Sequence, residues 1–264
     1  MTFPAGSRPA PLRGDAPTGW ALDLDGVVWL ADKPIPGASD AVAQLREAGH
    51  PVLFVTNNSA VRVREVEEKL AGMGISAAGQ VVTSAVVAAD LVSTDEVALV
   101  CAGPGVREAL LDRGVAVVGE GDADVVVVGY HRDFDYERMT VAARAVRRGA
   151  RLLATNDDPT YPTPDGPIPG GGAILASIAV ASGVEATVAG KPHVPMVAHV
   201  RRRLGAGGVM VGDRPDTDGL FARALGYRFA LVLSGVTGPG DLPVEPTPDL
   251  VAGDLVAAVE AELR

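Results

Sequence analysis

The stretch Asp23-Leu-Asp-Gly-Val-Val28 ends an apolar run with two carboxylates and a glycine. Residues two apart on a β-strand point to the same face, so Asp23 and Asp25 would lie side by side. An ionised carboxylate that leaves water needs a partner, and a hard divalent cation is a suitable one. Gly26 then allows the backbone to turn sharply. Taken alone, the stretch is equally compatible with acids in a solvated turn, so the rest of the chain must decide.

Length and charge limit the classes of protein to which the chain can belong. Its 264 residues, 47% hydrophobic and 21% charged, suffice for one large globular domain or two smaller ones. The net charge of -10 argues against binding to nucleic acid or to an anionic membrane, since both need a basic face. An anionic substrate is still compatible, because a metal ion, a lysine and helix N-termini can reverse the field locally.

The cysteine count and the apolar runs indicate a compartment. Cys101 is the only cysteine, so an intramolecular disulfide is excluded. No uninterrupted apolar stretch approaches the ~20 residues that span a bilayer. Residues 1–18 are rich in Pro, Gly and Arg and lack the apolar segment of a signal peptide. We therefore expect a cytoplasmic protein whose residues 1–18 form a flexible lead.

Apolar runs and helical patterns alternate along most of the chain, which predicts parallel strands joined by helices. A first series runs over residues 20–73, a second over 97–154, and the first rhythm resumes after Gly183. The predicted strands cover residues 20–24, 52–56, 97–101, 115–118, 125–128, 152–154, 208–211 and 229–233.

The simplest architecture is an α/β fold with one domain inserted into another. An open, parallel, Rossmann-like sheet is formed by residues 19–84 and 187–264, and a smaller α/β domain over residues 85–186 is inserted between them. The segment between Ala154 and Gly172 contains five prolines, which predicts a long loop without regular structure.

Polar groups follow the predicted strands of the first domain. Besides Asp23 and Asp25, these are Thr56-Asn-Asn-Ser59, Gly190-Lys-Pro192 and Gly212-Asp-Arg-Pro-Asp-Thr-Asp218. Ligands of open parallel sheets bind beyond the carboxyl ends of the strands, so these segments would meet at one edge. Each alone has an ordinary explanation: helix capping, a solvated lysine, or acids that favour a helix N-terminus.

Together and in this order, the four motifs resemble those of the haloacid dehalogenase superfamily. The insert is similar to the α/β cap of the subgroup that contains 4-nitrophenyl phosphatases, phosphoglycolate and pyridoxal phosphate phosphatases, and nucleotidases. The resemblance implies a phosphoric monoester hydrolase with a Mg²⁺ cofactor and a small phosphorylated metabolite as its substrate. A different class of protein, a catalytically silent module that binds a phosphate ligand, would be expected to show a damaged motif.

The resemblance also implies roles for particular residues. Asp23 would be the nucleophile, forming an aspartyl-phosphate, and Asp25 the general acid and then the general base. Mg²⁺ would be held by Asp23, the backbone carbonyl of Asp25, and Asp213. The phosphoryl group would be bound by Thr56, Asn57 and Lys191, with support from Asp218, Gly26 and Asn58.

The insert is expected to select the substrate. His131, Arg132, Asn156 and Asp157 resemble substrate-facing residues of glycerol-3-phosphate phosphatases, so glycerol 3-phosphate is the expected substrate. Phosphoglycolate, pyridoxal phosphate and nucleoside monophosphates are alternatives, and the insert could also form a homodimer contact. The residues themselves leave open whether His131 and Arg132 are solvated loop residues. They also leave open whether Trp29 lines the cleft or packs in the core.

Overall fold

The computed structural model of the chain describes residues 18–31, 33–163 and 165–263. The flexible lead predicted over residues 1–18 lies outside the described residues except for Thr18. The backbone amide of Thr18 donates a hydrogen bond of 2.9 Å to Nδ1 of His50.

Most strands are short and buried. In chain order they are β1 (Gly19–Leu22), β2 (Trp29–Leu30), β3 (Lys33–Pro34), β4 (Val52–Thr56), β5 (Val81–Thr83), β6 (Val97–Cys101), β7 (Ala116–Val118), β8 (Val125–Val128), β9 (Arg151–Ala154), β10 (Thr160–Tyr161), β11 (Ile168–Pro169), β12 (Thr187–Val188), β13 (Gly208–Gly212), β14 (Arg228–Val232) and β15 (Leu250–Ala252).

The helices connect these strands. They are α1 (Ala38–Glu47), α2 (Val63–Gly72), α3 (Ser84–Asp90), α4 (Pro104–Asp112), α5 (Tyr136–Arg147), α6 (Gly171–Ser182), α7 (Val194–Leu204), α8 (Leu220–Leu225) and α9 (Leu255–Glu262). A π-helical turn, Pro215–Gly219, immediately precedes α8.

The described residues form two compact units. The first contains the chain up to Thr56, the segment Glu67–Val81 and the chain from Lys191 onward; the second contains Asn57–Val66 and Val82–Gly190. Segment Asn57–Val66 thus groups with the second unit. The domain bounds that the sequence indicates, residues 19–84 and 187–264 for one domain and 85–186 for the other, stay a prediction.

The first unit is built around a parallel sheet with the strand order β15-β14-β13-β1-β4-β5. Central strand β1 pairs with β13 on one side and β4 on the other, and Trp20 lies opposite both Val209 and Val52. All three strands are buried along their whole length, as expected when helices cover both faces of a parallel sheet. The carboxyl ends of β13, β1 and β4 are therefore neighbours at one edge.

The second unit contains its own parallel sheet, in the order β12-β9-β8-β6-β7. Alternate residues of β6 and β8, among them Cys101 and Val126, form an apolar cluster with buried residues of α5 and α6. The intervening Val125 and Val127 point to the opposite face and are fully buried as well. Two parallel sheets with connecting helices confirm the predicted α/β class.

The strands that the sequence did not predict are the shortest ones. Strands predicted at Val52–Thr56, Val97–Cys101 and Val125–Val128 are found with those bounds, but β2, β3, β5, β12 and β15 have only two or three residues each. The loop predicted after Ala154 contains a short antiparallel pair, in which Thr160 of β10 lies opposite Pro169 of β11. Two-residue strands are too short to show a periodic pattern.

Within residues 18–31, 33–163 and 165–263, no helix combines the length and the apolar character needed to cross a membrane.

Helix α5 gives a test of the second unit. Its N-cap residue Asp135 accepts a hydrogen bond of 2.8 Å from the backbone amide of Arg138. We expect Asp135→Ala to lower the free energy of unfolding by about 1 kcal/mol, because the amide loses its acceptor. Thermal unfolding measures the change. Asp135→Asn keeps an acceptor and should lose much less; equal losses in the two variants would contradict a capping role.

Candidate active site

Polar side chains meet at the carboxyl ends of three neighbouring strands in the first unit. Asp23 directly follows β1, Thr56 is the last residue of β4, and Asp213 directly follows β13. All three are buried, although apolar core surrounds their strands. The structure therefore places these predicted site residues at the edge where open parallel sheets bind ligands.

Lys191 joins two of the carboxylates. Its Nζ donates a hydrogen bond of 2.8 Å to Oδ1 of Asp23 and one of 2.7 Å to Oδ1 of Asp218. The lysine is 2% exposed, so it is not a solvated surface residue. Burial alone would lower the pKa of Lys191, but the charges of Asp218 and Asp23 raise that pKa above its usual range. Lys191 is therefore a buried cation that is paired with two carboxylates.

Asp213 is fixed by the segment that follows β14. Its Oδ2 accepts a hydrogen bond of 2.6 Å from the backbone amide of Val236. A Cβ atom on Gly235 would lie 2.0 Å from that oxygen, and one on Gly26 would lie 2.3 Å from it. Gly26 also has a φ of +81°, which favours glycine. These close approaches give Gly26 a structural reason for the supporting role predicted for it.

The segment at 234–236 was not among the predicted site residues. Oγ of Ser234 donates a hydrogen bond of 2.6 Å to the carbonyl of Gly26, so the segment joins the loop after β14 to the loop after β1. A signal for it existed in the sequence. Strand β14 neighbours β13, and the strand-end rule that selected the other motifs also applies to the residues after β14.

The crowded carboxylates have raised pKa values. Burial and the charges of Asp218 and Asp23 raise the pKa of Asp213 to about 8. Burial raises the pKa of Asp218 to about 6, although Lys191 opposes the shift. Burial also raises the pKa of Asp23, again against the effect of Lys191. When all three carboxyl groups are ionised, their negative charge thus exceeds the positive charge of Lys191.

A divalent cation would supply that charge. Asp23, Asp213 and Asp218 each offer one oxygen, and these three oxygens lie within 4.8 Å of one another. Three carboxylates and the single ammonium of Lys191 leave two negative charges uncompensated. Hard oxygen donors of this kind suit Mg²⁺. The donor set fits the predicted cofactor, because it contains the predicted ligands Asp23 and Asp213 together with Asp218.

Asp25 is half-buried and has a different partner from Asp23. Its Oδ1 accepts a hydrogen bond of 2.9 Å from Nε1 of Trp29. Burial raises the pKa of Asp25, while the hydrogen bond from Trp29 and the charge of Lys69 oppose the shift. Trp29 is 4% exposed, so it is a buried residue that also contacts the predicted general acid.

Asn57 directly follows Thr56 and is held by residues of the second unit. Its carbonyl accepts hydrogen bonds of 2.8 Å from Oγ of Ser84 and from Nδ2 of Asn156, and its own Nδ2 donates to Asp158 at 3.0 Å. Sequence reasoning missed Ser84 and Asp158. Asn58 accepts a hydrogen bond of 3.1 Å from the amide of Ala60, a local turn consistent with its supporting role.

The predicted substrate residues of the second unit have unequal surroundings. Asn156 is buried; besides Asn57, it contacts the amide of Asp158, which donates to its Oδ1 at 3.2 Å. Its contacts are therefore those of a residue that positions Asn57. Arg132 and Asp157 are exposed.

His131 is buried rather than solvated. Nδ1 lies 3.0 Å from the carbonyl oxygen of Gly129. The imidazole packs edge to face against the ring of Phe134, with 5.6 Å between the ring centroids. Nε2 is also buried and has no hydrogen-bond partner among the described residues. The solvated-loop interpretation of His131 is therefore wrong. Contact with a substrate stays a prediction for all four of these residues.

Comparison with known proteins decides the family. Two family models match the chain, Haloacid dehalogenase-like hydrolase over residues 20–116 and HAD-hydrolase-like over residues 188–258. An acid sugar phosphatase of Staphylococcus haemolyticus is 36% identical over 83% of this chain and 86% of its own length. A 5'-nucleotidase of Bacillus subtilis is 35% identical over 83% of this chain and 88% of its own length. The chain belongs to the haloacid dehalogenase-like hydrolases.

A solved structure agrees with this membership. The chain resembles a glycerol phosphate phosphatase from Mycobacterium tuberculosis in complex with magnesium, with a TM-score of 0.82 and 32% identity. The match covers 92% of this chain and 77% of that chain. The comparisons confirm that this chain is a haloacid dehalogenase-like hydrolase, as its four motifs indicate. They also confirm the predicted fold, a Rossmann-like core with a cap domain.

The raised pKa of Asp213 gives a prediction for the metal-free protein. Because the folded state binds a proton at Asp213 up to about pH 8 and the unfolded state only up to about pH 4, stability should fall as the pH rises between these values. We expect Asp213→Asn to show a smaller fall when Tm is measured in a chelator from about pH 5 to about pH 9. Added MgCl₂ should stabilise the wild type at the higher pH and the variant much less.

The exposed Asp40, in the first turn of α1, provides the control. Asp40→Asn removes the same charge far from the cluster and should retain both the pH dependence and the response to MgCl₂. Wild-type behaviour of Asp213→Asn in both measurements would contradict the assignment.

Proposed function

We propose that this protein is a Mg²⁺-dependent phosphatase that hydrolyses a small-molecule phosphate monoester through an aspartyl-phosphate on Asp23. The enzyme class is that of the phosphoric monoester hydrolases of the haloacid dehalogenase type. Glycerol 3-phosphate is the substrate that we put forward. The observation that carries the proposal is the buried ammonium of Lys191 held between Asp23 and Asp218.

The charge arrangement suits an attack on phosphorus. A phosphate monoester is an anion, and a carboxylate nucleophile repels it unless positive charge stands beside both groups. Lys191 contacts Asp23 directly, so it can also contact a phosphoryl oxygen placed next to that carboxylate. The interaction strengthens as negative charge shifts onto the phosphoryl oxygens, which lowers the barrier.

The metal fits the same arrangement. Asp23, Asp213 and the backbone carbonyl of Asp25 would hold Mg²⁺, with Asp218 oriented by Lys191 next to them. When bound, the ion neutralises phosphoryl charge and acts as a Lewis acid. The relative in complex with magnesium supports this choice of cofactor.

The residues of the chain account for both chemical steps. In the first step, a carboxylate oxygen of Asp23 bonds to phosphorus while the bond between phosphorus and the leaving oxygen breaks. Asp25 gives its proton to that oxygen. In the second step Asp25 takes a proton from water, which attacks the aspartyl-phosphate, frees inorganic phosphate and restores Asp23. Thr56 and Asn57 would hold the phosphoryl oxygens throughout, Asn57 in the position set by Ser84 and Asn156.

A polar edge of the second unit supports a polyol leaving group. Strands β8 and β9 are neighbours, and the segments after them carry the exposed side chains of Arg132 and Asp157. The segment after β8 also carries the buried His131, whose Nε2 has no hydrogen-bond partner among the described residues. Such groups suit hydroxyls better than an aromatic ring. The glycerol phosphate phosphatase relative is consistent with this, but relatives named for sugar phosphates and nucleotides match to a similar extent.

The alternatives to this proposal are a silent binding module, other phosphate esters and a homodimer contact. A silent phosphate-binding module would be expected to lack part of the motif set, whereas the chain retains Asp23, Asp25, Lys191 and the acidic cluster, which supports an active enzyme. Phosphoglycolate, pyridoxal phosphate and nucleoside monophosphates remain the alternative substrates. A homodimer formed through the insert stays a prediction.

The nucleophile can be tested directly. We expect Asp23→Asn to lower kcat by at least about 10³-fold, because an amide does not form the covalent intermediate. Phosphate release from 4-nitrophenyl phosphate measures the loss, and acid-quenched enzyme should carry labelled phosphate in the wild type only. Asp40→Asn should keep wild-type activity. Turnover by Asp23→Asn at the wild-type rate would overturn the covalent mechanism.

The substrate needs a separate measurement. A panel at equal Mg²⁺ should contain glycerol 3-phosphate, a hexose phosphate, phosphoglycolate, pyridoxal phosphate and AMP. We expect the highest kcat/KM for glycerol 3-phosphate, and Arg132→Ala should lower it for that ester more than for 4-nitrophenyl phosphate. A tenfold higher kcat/KM for another metabolite in the panel would show that the polyol assignment is wrong.

A further inference from the structure

The indole of Trp29 is the hydrogen-bond donor to the carboxyl group of Asp25. Nε1 lies 2.9 Å from Oδ1 of Asp25. An indole N–H can donate but cannot accept, and it carries no charge. The contact therefore forms whether Asp25 is a carboxylic acid or a carboxylate.

The ring that carries this donor is held in place. The backbone amide of Trp29 donates to the carbonyl of Leu24 at 3.2 Å, and the amide of Gly26 donates to the carbonyl of Trp29 at 2.7 Å. The loop that contains Asp25 and the residue that binds its side chain are thus tied together at both ends. Only 4% of Trp29 is exposed, so the ring has little room to rotate.

Lys69 fixes the face of the same ring. Its Nζ lies 4.3 Å from the ring centroid of Trp29 and donates a hydrogen bond of 2.9 Å to the carbonyl of Ala31. A cation at this distance is attracted by the negative face of the indole. The ammonium is anchored to the backbone two residues after Trp29, so it stabilises one orientation of the ring.

We propose that Trp29 is a positioning residue that decides which oxygen of Asp25 transfers the proton. Because Oδ1 always accepts from the indole, Oδ2 carries the proton of the acid and presents it to the leaving oxygen. The same oxygen then receives the proton of the attacking water. This inference rests on the proposed phosphatase reaction, in which Asp25 is the general acid and base.

Two esters with different leaving groups separate this role from a structural one. An alkoxide such as that of glycerol leaves only with a proton from Asp25, whereas 4-nitrophenolate leaves without one. We expect Trp29→Phe to lower kcat/KM for glycerol 3-phosphate by at least about 10-fold and kcat/KM for 4-nitrophenyl phosphate by less than about 3-fold. Any simple alkyl phosphate that the wild type hydrolyses can replace glycerol 3-phosphate.

The second step supplies an independent readout. Water attack needs Asp25 as base, so Trp29→Phe should lower kcat for 4-nitrophenyl phosphate although kcat/KM is nearly unchanged. Rapid mixing should then show a burst of nitrophenolate close to one equivalent of enzyme, followed by slow turnover. If Trp29→Phe only disturbed the packing, kcat/KM would fall by the same factor for both esters, and no burst of nitrophenolate would appear.

Trp20 provides the matched control. It is fully buried in β1, and its Nε1 has no hydrogen-bond partner among the described residues. Trp20→Phe should leave the ratio of the two kcat/KM values as in the wild type. Lys69→Met keeps the indole and frees its face, so it should change that ratio in the same direction as Trp29→Phe, by a smaller factor.

The possible results are distinct. A wild type that hydrolyses neither ester would refute the proposed function. A wild type that hydrolyses both, with a Trp29→Phe variant that loses kcat/KM equally on both, would refute the positioning role alone. If Trp29→Phe fails to fold, 3-benzothienylalanine at position 29 in the Trp20→Phe protein keeps the ring size and removes the N–H. An unchanged ratio in that protein would also overturn the proposal.

Discussion

The ammonium of Lys191 between Asp23 and Asp218 is the interaction on which the first unit depends. It joins residues that are 168 positions apart in sequence, on segments that precede and follow the whole of the second unit. A buried ion pair that loses one partner typically costs about 3–5 kcal/mol, since the remaining charge is left without compensation. Here two carboxylates would be left, and Asp213 lies beside them. The lysine therefore offsets part of the cost of burying acids at the end of this parallel sheet.

The single positive charge of Lys191 does not neutralise the three carboxylates of Asp23, Asp213 and Asp218. The remaining negative charge is what suits the cluster to a divalent cation. Burial raises the pKa values of Asp213 and Asp218, and the charges of the neighbouring acids add to the effect. A divalent cation would neutralise this repulsion, and the three carboxylate oxygens already lie within 4.8 Å of one another. The backbone amide of Val236 and the close approach of Gly235 keep Asp213 from relaxing away. The crowded carboxylates lower the stability of the protein, but they are already held in the arrangement that the reaction needs.

The sequence predicts the parts of this arrangement that follow from local patterns. Long buried strands such as β4 and β8 show as continuous apolar runs, and the polar residues after them can be assigned to one edge of a sheet. Contacts between distant segments leave no such pattern. Ser84 and Asp158 hold Asn57 from 27 and 101 residues away, and the sequence around each looks like an ordinary helix start or loop. Asn156 is an intermediate case, because the polar cluster around it is visible in the sequence but its contact with the Asn57 carbonyl is not.

The two acids of the opening motif differ through their partners rather than through their sequence neighbours. Asp23 accepts from an ammonium, which stabilises its carboxylate form, the form that the proposed attack on phosphorus requires. Asp25 accepts from a neutral indole, which tolerates both the acid and the carboxylate and so suits a group that gives and takes a proton within one cycle. Lys191 and Trp29 thus give the two carboxyl groups different surroundings, and the proposed division into nucleophile and acid rests on that difference.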